Sequence, residues 1–167
     1  ALKMVGSNVS MPNKTVVGQY LDKLSPAAEL CGAVNTIVNE NGVLTGHITD
    51  GIGFMQALKD NDIDVIGKKM TIAGAGGAAT AIEIQAALDG VKEMSIFNIK
   101  DKFWANAEET VKKIDSATQI KWDIAVIPKD FPEKNLSECK GCQKRKDGGK
   151  RCRIKSSRII INRKRLH

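Results

Sequence analysis

The stretch Met70-Thr-Ile-Ala-Gly-Ala-Gly-Gly-Ala-Ala-Thr-Ala-Ile82 decides the fold. A short apolar β-type run enters a glycine turn, and small and apolar helix formers follow at once. Gly74, Gly76 and Ala79 stand in the Gly-x-Gly-x-x-Gly/Ala spacing of a dinucleotide-binding turn, where each position has a steric reason. Gly74 lets the chain leave the strand sharply. Gly76 has no Cβ, so a pyrophosphate can come close to the backbone. Ala79 keeps the helix tight against the sheet. The amides that open the helix near Gly77 then face the phosphates, helped by the positive end of the helix dipole. Strands and helices are also joined by such turns for purely structural reasons, so the context has to decide.

The context fits. Lys68 and Lys69 precede the strand, and the helix runs to a stop at Gly90. A second strand, Met94 to Ile99, leads to Asp101, an acid where an adenosine ribose would lie. A second helix begins near Phe103 and Trp104 and carries an apolar stripe through Val111 and Ile114 to about Ala117. Trp122–Ile127 predicts a third strand. The rhythm is that of a right-handed βαβα unit of a parallel sheet.

Upstream, Ala1 to Thr15 reads as a strand around Asn8–Met11 that breaks at Pro12, leaving Asn13 and Lys14 at the strand end. Val16, Val17, Tyr20, Leu21 and Leu24 predict an amphipathic helix over Thr15 to Leu24. Ser25-Pro26 starts a short helix, with Glu29 favouring its first turn and Gly32 ending it. Two β-rich runs flank Asn41-Gly42, a strong hairpin signal. Ile52–Asn61 predicts a helix capped by Thr49 or Asp50. Asp62 to Gly67 is polar and marks a domain boundary. His47 reads as an ordinary hairpin residue rather than a general base.

The net charge of +7 is unevenly spread. Residues 1–120 carry 11 Lys/Arg against 14 Asp/Glu, a net −3, whereas residues 121–167 carry 15 against 5, a net +10. The first part is therefore ordinary globular sequence, and the basicity belongs to the tail. No apolar run is long enough to span a membrane, and Ala1-Leu-Lys opens no signal peptide. Four cysteines, one isolated and three late, do not form a secreted disulfide pattern, which points to a reducing, cytoplasmic setting.

Four motifs carry a resemblance: Asn8-Val-Ser-Met-Pro-Asn-Lys14, Gly32-Ala-Val-Asn-Thr36, Gly46-His-Ile-Thr-Asp-Gly51 and Gly74-Ala-Gly-Gly-Ala78. In that order and spacing they resemble the shikimate/quinate dehydrogenase family, closest to its quinate/shikimate dehydrogenase branch, over about residues 1–118. The resemblance implies an α/β chain: part of a substrate-binding domain over 1–66 and part of a Rossmann NAD(P)-binding domain over 67–127, followed by a basic tail over 128–167. It implies reversible oxidation of shikimate to 3-dehydroshikimate, or of quinate to 3-dehydroquinate. Lys14 and Asp50 match the catalytic pair. Ser10 and Asn35, with Lys14 and Asp50, match the substrate-binding set. Gly74, Ala75, Gly76, Gly77 and Ala78 match the pyrophosphate turn, and Asn98, Ile99, Lys100 and Asp101 the segment that meets the adenosine ribose. A homodimer is also implied.

The chemistry agrees with these roles. Oxidising a secondary alcohol removes a hydride and a proton, and a nicotinamide takes only the hydride. A lysine amine beside an aspartate supplies the place for the proton. NADP-specific members carry an arginine after the asparagine at 98. Ile99 stands there instead, while Lys100 and Asp101 pull in opposite directions, so NAD is favoured over NADP.

Departures are equally plain. The chain starts within the substrate domain, without the family's opening strand–helix unit or its Ser-x-Ser motif, and Ile48 replaces a polar anchor before Asp50. After about residue 118 the resemblance ends, as an out-of-frame or recombined end would produce. The tail predicts at most one short strand, over Arg158–Asn162. Cys139, Cys142, Cys152 and His167 offer a zinc-ligand alternative, and the basic residues a nucleic-acid one. A methylenetetrahydrofolate dehydrogenase is a further alternative, against which the missing folate-stacking tyrosine motif counts.

Overall fold

A computed structural model describes residues 4–99, 103–126 and 158–160. The chain builds two four-stranded sheets in succession. The first contains β1 (Gly6–Asn8), β2 (Lys23–Leu24), β3 (Thr36–Glu40) and β4 (Val43–His47), in the order β1-β3-β4-β2. Helices α1 (Pro26–Cys31) and α2 (Asp50–Asp60) flank β3 and β4 in the chain. The second sheet is entered at β5 (Lys69–Ala73) and continues through α3 (Gly77–Leu88), β6 (Glu93–Asn98), α4 (Trp104–Ala117) and β7 (Lys121–Val126). Its order is β7-β6-β5-β8, with β8 at Arg158–Ile160.

Local signals account for much of this. Ser25 Oγ accepts from Ala28 N at 3.3 Å and Pro26 opens α1, while Gly32 ends it with φ +66°. Asn41 and Gly42 both take positive φ, the pair of conformations a tight hairpin needs, and β3 and β4 pair antiparallel across them. The β5–β6 and β6–β7 pairs are parallel, as the βαβ rhythm predicts. Helix α3 is apolar nearly all round and is correspondingly buried from Ala79 to Ile84. It packs against the sheet below and against α1, α2 and α4.

Three expectations need correction. Thr15–Leu24 is no amphipathic helix: 3-10 turns cover Asn13–Thr15 and Val17–Tyr20, and Lys23–Leu24 joins β4 in parallel. Three β-branched residues followed by Gly18 make a poor helix, and the sheet edge offers Lys23–Leu24 a better use of its backbone. The first strand lies earlier than predicted, at Gly6–Asn8 in place of Asn8–Met11. Neither Thr49 nor Asp50 caps α2 through its side chain, because both side chains are engaged elsewhere. The short tail strand expected over Arg158–Asn162 is present as β8, which adds antiparallel to the open edge of β5 beside the parallel βαβαβ unit. Ile127, Ile161 and Asn162 lie outside the described residues.

The two sheets are joined through α2 against α3. Gly51 sits where a Cβ would collide with the Ala81 carbonyl oxygen and lie 2.6 Å from Gln85 Cβ. Backbone cannot yield there as a side-chain tip could. Gly51→Ala should therefore destabilise the fold by about 2–3 kcal/mol, read as a lower urea midpoint at unchanged slope.

Candidate functional site

Asn35 is the hub of the predicted substrate-side residues. Its backbone is bonded into the first sheet, with its N–H donating to His47 O at 2.9 Å and its carbonyl accepting from Val9 N at 2.8 Å. Its side-chain oxygen accepts from Thr49 N, Thr49 Oγ1 and Thr36 Oγ1 at 3.0, 3.2 and 3.0 Å. With the oxygen so held, the amide nitrogen is aimed at Asp50 Oδ2, to which it donates at 3.1 Å. Lys14 Nζ stands 3.5 Å from the same oxygen. The Lys14 carbonyl accepts from Val34 N at 2.8 Å, which pins the 3-10 turn carrying the lysine to the sheet.

Lys14 and Asp50 thus meet although 36 positions separate them. Their side chains keep 27% and 43% of their surface, enough for a ligand to reach both. Ser10 is exposed and follows Val9, which bonds Asn35. His47 spends its backbone on the β3–β4 ladder and on Asn35. Ile48, where the family resemblance leads one to expect a polar anchor, is buried as part of the core.

The glycine corner has the geometry its sequence predicts. Gly74 takes φ +119° and its N–H donates to Phe97 O at 2.7 Å, turning the chain off the end of β5. Gly76 is extended (φ −78°, ψ 173°) and precedes α3, whose start has no side-chain cap. A Cβ on Gly77 would meet nothing within 4 Å. Among the described residues the amides of Gly76, Gly77 and Ala78 donate to no protein acceptor. Uncapped amides, open space and a helix N-terminus fit a phosphate-bearing cofactor. Ala79 is fully buried, as the tight helix–sheet contact requires.

Asn98 is buried at the end of β6 and Ile99 beside it is exposed. Lys100 and Asp101 lie outside the described residues, as do Cys139, Cys142, Cys152 and His167. No group of three or more potential metal ligands occurs among the described residues.

Sequence reasoning overlooked three side chains. Asn106, in the first turn of α4, donates to Ala75 O at 2.7 Å and Thr80 Oγ1 at 2.9 Å. Glu83 is fully buried within α3, its two carboxyl oxygens have no hydrogen-bond partner among the described residues, and burial holds its carboxyl up at about 8. Burial pushes up the thiol of Cys31, at the end of α1. Only Glu83 had a visible signal, an acid inside an otherwise apolar helix. A groove of about 780 Å³ between α2 and α3, floored by Ile52, Met55 and Ile63, contains none of the predicted residues.

A lysine–aspartate pair beside a mixed sheet, followed by a βαβαβ unit with an open glycine corner, defines an α/β protein of the Rossmann class. The family model for the shikimate dehydrogenase substrate binding domain matches residues 1–37. A shikimate dehydrogenase (NADP(+)) of Listeria monocytogenes is 73% identical over 121 residues, covering 72% of this chain and 42% of that protein. The crystal structure of shikimate 5-dehydrogenase from Listeria monocytogenes, in complex with shikimate and NAD, is 71% identical with a TM-score of 0.72. That match covers 74% of this chain and 43% of the other. The ligand-free 5-ketofructose reductase of a Gluconobacter species is 36% identical with a TM-score of 0.69, over 76% and 44% of the two chains.

Over about three quarters of its length the chain is similar to shikimate dehydrogenases. It spans less than half the length of the relatives it matches. The zinc, nucleic-acid and methylenetetrahydrofolate readings gain no support from these comparisons.

Proposed function

We propose that the chain carries the catalytic pair and the pyrophosphate corner of an NAD(P)-dependent shikimate dehydrogenase. The reaction is the reversible oxidation of shikimate to 3-dehydroshikimate, with quinate to 3-dehydroquinate as the alternative pairing. The observation that carries this reading is the Lys14–Asp50 contact at 3.5 Å, oriented by Asn35. Asp50 also precedes Gly51, which packs against α3, the helix that the glycine corner opens.

In this reading residues 1–66 hold the substrate and residues 67–127 the dinucleotide, with 128–167 a basic tail whose Arg158–Ile160 pairs with β5. A bound nicotinamide would accept the hydride from the alcohol carbon. The Lys14 amine accepts the hydroxyl proton as the C–O bond becomes a carbonyl, and Asp50 holds that hydroxyl in line. In the reverse direction the Lys14 ammonium polarises the ketone and returns the proton. Ser10 and Asn35 bind the remaining hydroxyl and carboxylate groups. Ala75 to Ala78 cradle the diphosphate, and Asn98 to Asp101 meet the adenosine ribose. The apolar Ile99 offers no charge for a 2′-phosphate, which favours NAD, although NADP(+) stands in the Listeria relative's name. The protein is assigned to the cytoplasm as a homodimer.

Absorbance at the reduced-nicotinamide band, with shikimate and quinate each paired with NAD and NADP, tests the reading. Reduction in a shikimate pairing supports it, reduction only with quinate moves it to the alternative substrate, and a flat trace in all four overturns it for this chain. Independently, NADH fluorescence should be enhanced and blue-shifted by the wild-type chain. Gly76→Asp, which puts a carboxylate where the diphosphate must sit, should abolish that change; persistence of the signal would remove the corner from the site.

A further inference from the structure

We propose that Asn106 is a positioning residue that sets the glycine corner for diphosphate. This rests on the dinucleotide reading above and adds a residue to it. The Asn106 amide nitrogen has two hydrogens, and each has an acceptor: Ala75 O at 2.7 Å and Thr80 Oγ1 at 2.9 Å. Ala75 lies between the two turn glycines and Thr80 in the first turn of α3. The two bonds therefore bracket Gly76, Gly77, Ala78 and Ala79 from one side. Ala75 and Thr80 are both buried, so neither group has water as a ready substitute.

The consequence follows from peptide geometry. In a trans peptide the carbonyl of one residue and the N–H of the next point in opposite directions. Drawing the Ala75 carbonyl toward α4 therefore turns the Gly76 N–H away from α4. That amide has no protein acceptor among the described residues. Asn106 also sits in α4 just beyond the segment assigned to the ribose. One side chain thus ties the ribose-side helix to the phosphate-side corner, so the two halves of the cofactor meet a fixed spacing.

Asn106→Asp keeps the shape and removes the donor, placing a carboxylate against the Ala75 carbonyl. Two readouts on the full chain separate the inference from the reading beneath it. Without ligand, hydrogen exchange at the Thr80 amide, which donates to Gly76 O at 3.0 Å, should speed up in Asn106→Asp, while amides in β6 remain unchanged. By fluorescence titration and competition, NADH and ADP-ribose should each bind about tenfold more weakly, and adenosine, which has no diphosphate, within twofold of wild type. Unchanged exchange together with unchanged NADH affinity overturns the proposal. So does an equal loss for adenosine and NADH, which would mark general damage. If the wild-type chain binds no NADH, the dinucleotide reading fails, and the exchange comparison still decides whether Asn106 orders the corner.

Discussion

Lys14→Met is expected to lower turnover of shikimate by about 10²–10⁴-fold, the range that a positioned proton-transfer group contributes. The loss is expected in kcat more than in KM. Methionine keeps most of the apolar stem but can neither take the hydroxyl proton nor charge the carbonyl oxygen. The fold has little stake in this side chain, because the lysine's structural tie runs through its backbone carbonyl to Val34 N. The urea midpoint should accordingly move little. Asp50→Asn keeps the shape but loses the charge beside Lys14, and Asn35 Nδ2 would then face an amide in place of a carboxylate. Its expected loss is smaller, about 10–100-fold. Single-turnover absorbance with saturating shikimate separates chemistry from binding. A Lys14→Met chain that turns over at the wild-type rate removes the lysine from the mechanism.

Stability should fall as the solution becomes alkaline, and Glu83 should be the largest single cause. The unfolded carboxyl titrates near 4.5, whereas in the fold burial holds it up at about 8, with no hydrogen bond among the described residues to offset the lost hydration. Below pH 4.5 the group is neutral in both states and costs the fold nothing on this account. Between pH 4.5 and 8 the unfolded chain ionises first, so stability declines as pH rises. Above 8 the folded carboxylate is charged as well and the loss levels off. The full difference corresponds to at most about 5 kcal/mol. Glu83→Gln has the same shape and no titration. Its urea midpoint should match wild type at pH 4.5 and exceed it increasingly toward pH 9. Parallel pH profiles for the two chains would place the carboxyl in contact with a compensating group.

Much of the fold could be read locally because short-range rules act within a few residues. Ser25-Pro26, Gly32, Asn41-Gly42 and Gly74 each impose a backbone conformation that their neighbours cannot override. Thr15–Leu24 failed for the opposite reason. Its apolar spacing suited a helix, but the parallel pairing with β4 lies more than twenty residues downstream and no local pattern announces it. The capping role expected of Thr49 or Asp50 failed in an instructive way. Both side chains belong to the Asn35 network, and a long-range polar contact displaced a local one.

The amino-acid sequence by itself determined the strand–helix order of the second unit, the glycine corner and the resemblance to shikimate dehydrogenases, since motif spacing and β/α periodicity are written along the chain. It named Lys14, Asn35 and Asp50 only through resemblance. The tertiary structure decided that these three meet, Asn35 by a hydrogen bond and Lys14 by an ion pair to Asp50, that Gly51 seats α2 on α3, and that Asn106 reaches back to Ala75. It also left Glu83 buried without a hydrogen-bond partner among the described residues. The physical reason is distance along the chain: backbone conformation is a local matter, whereas the direction of a side-chain amide or the hydration of a carboxyl depends on segments that only folding brings together.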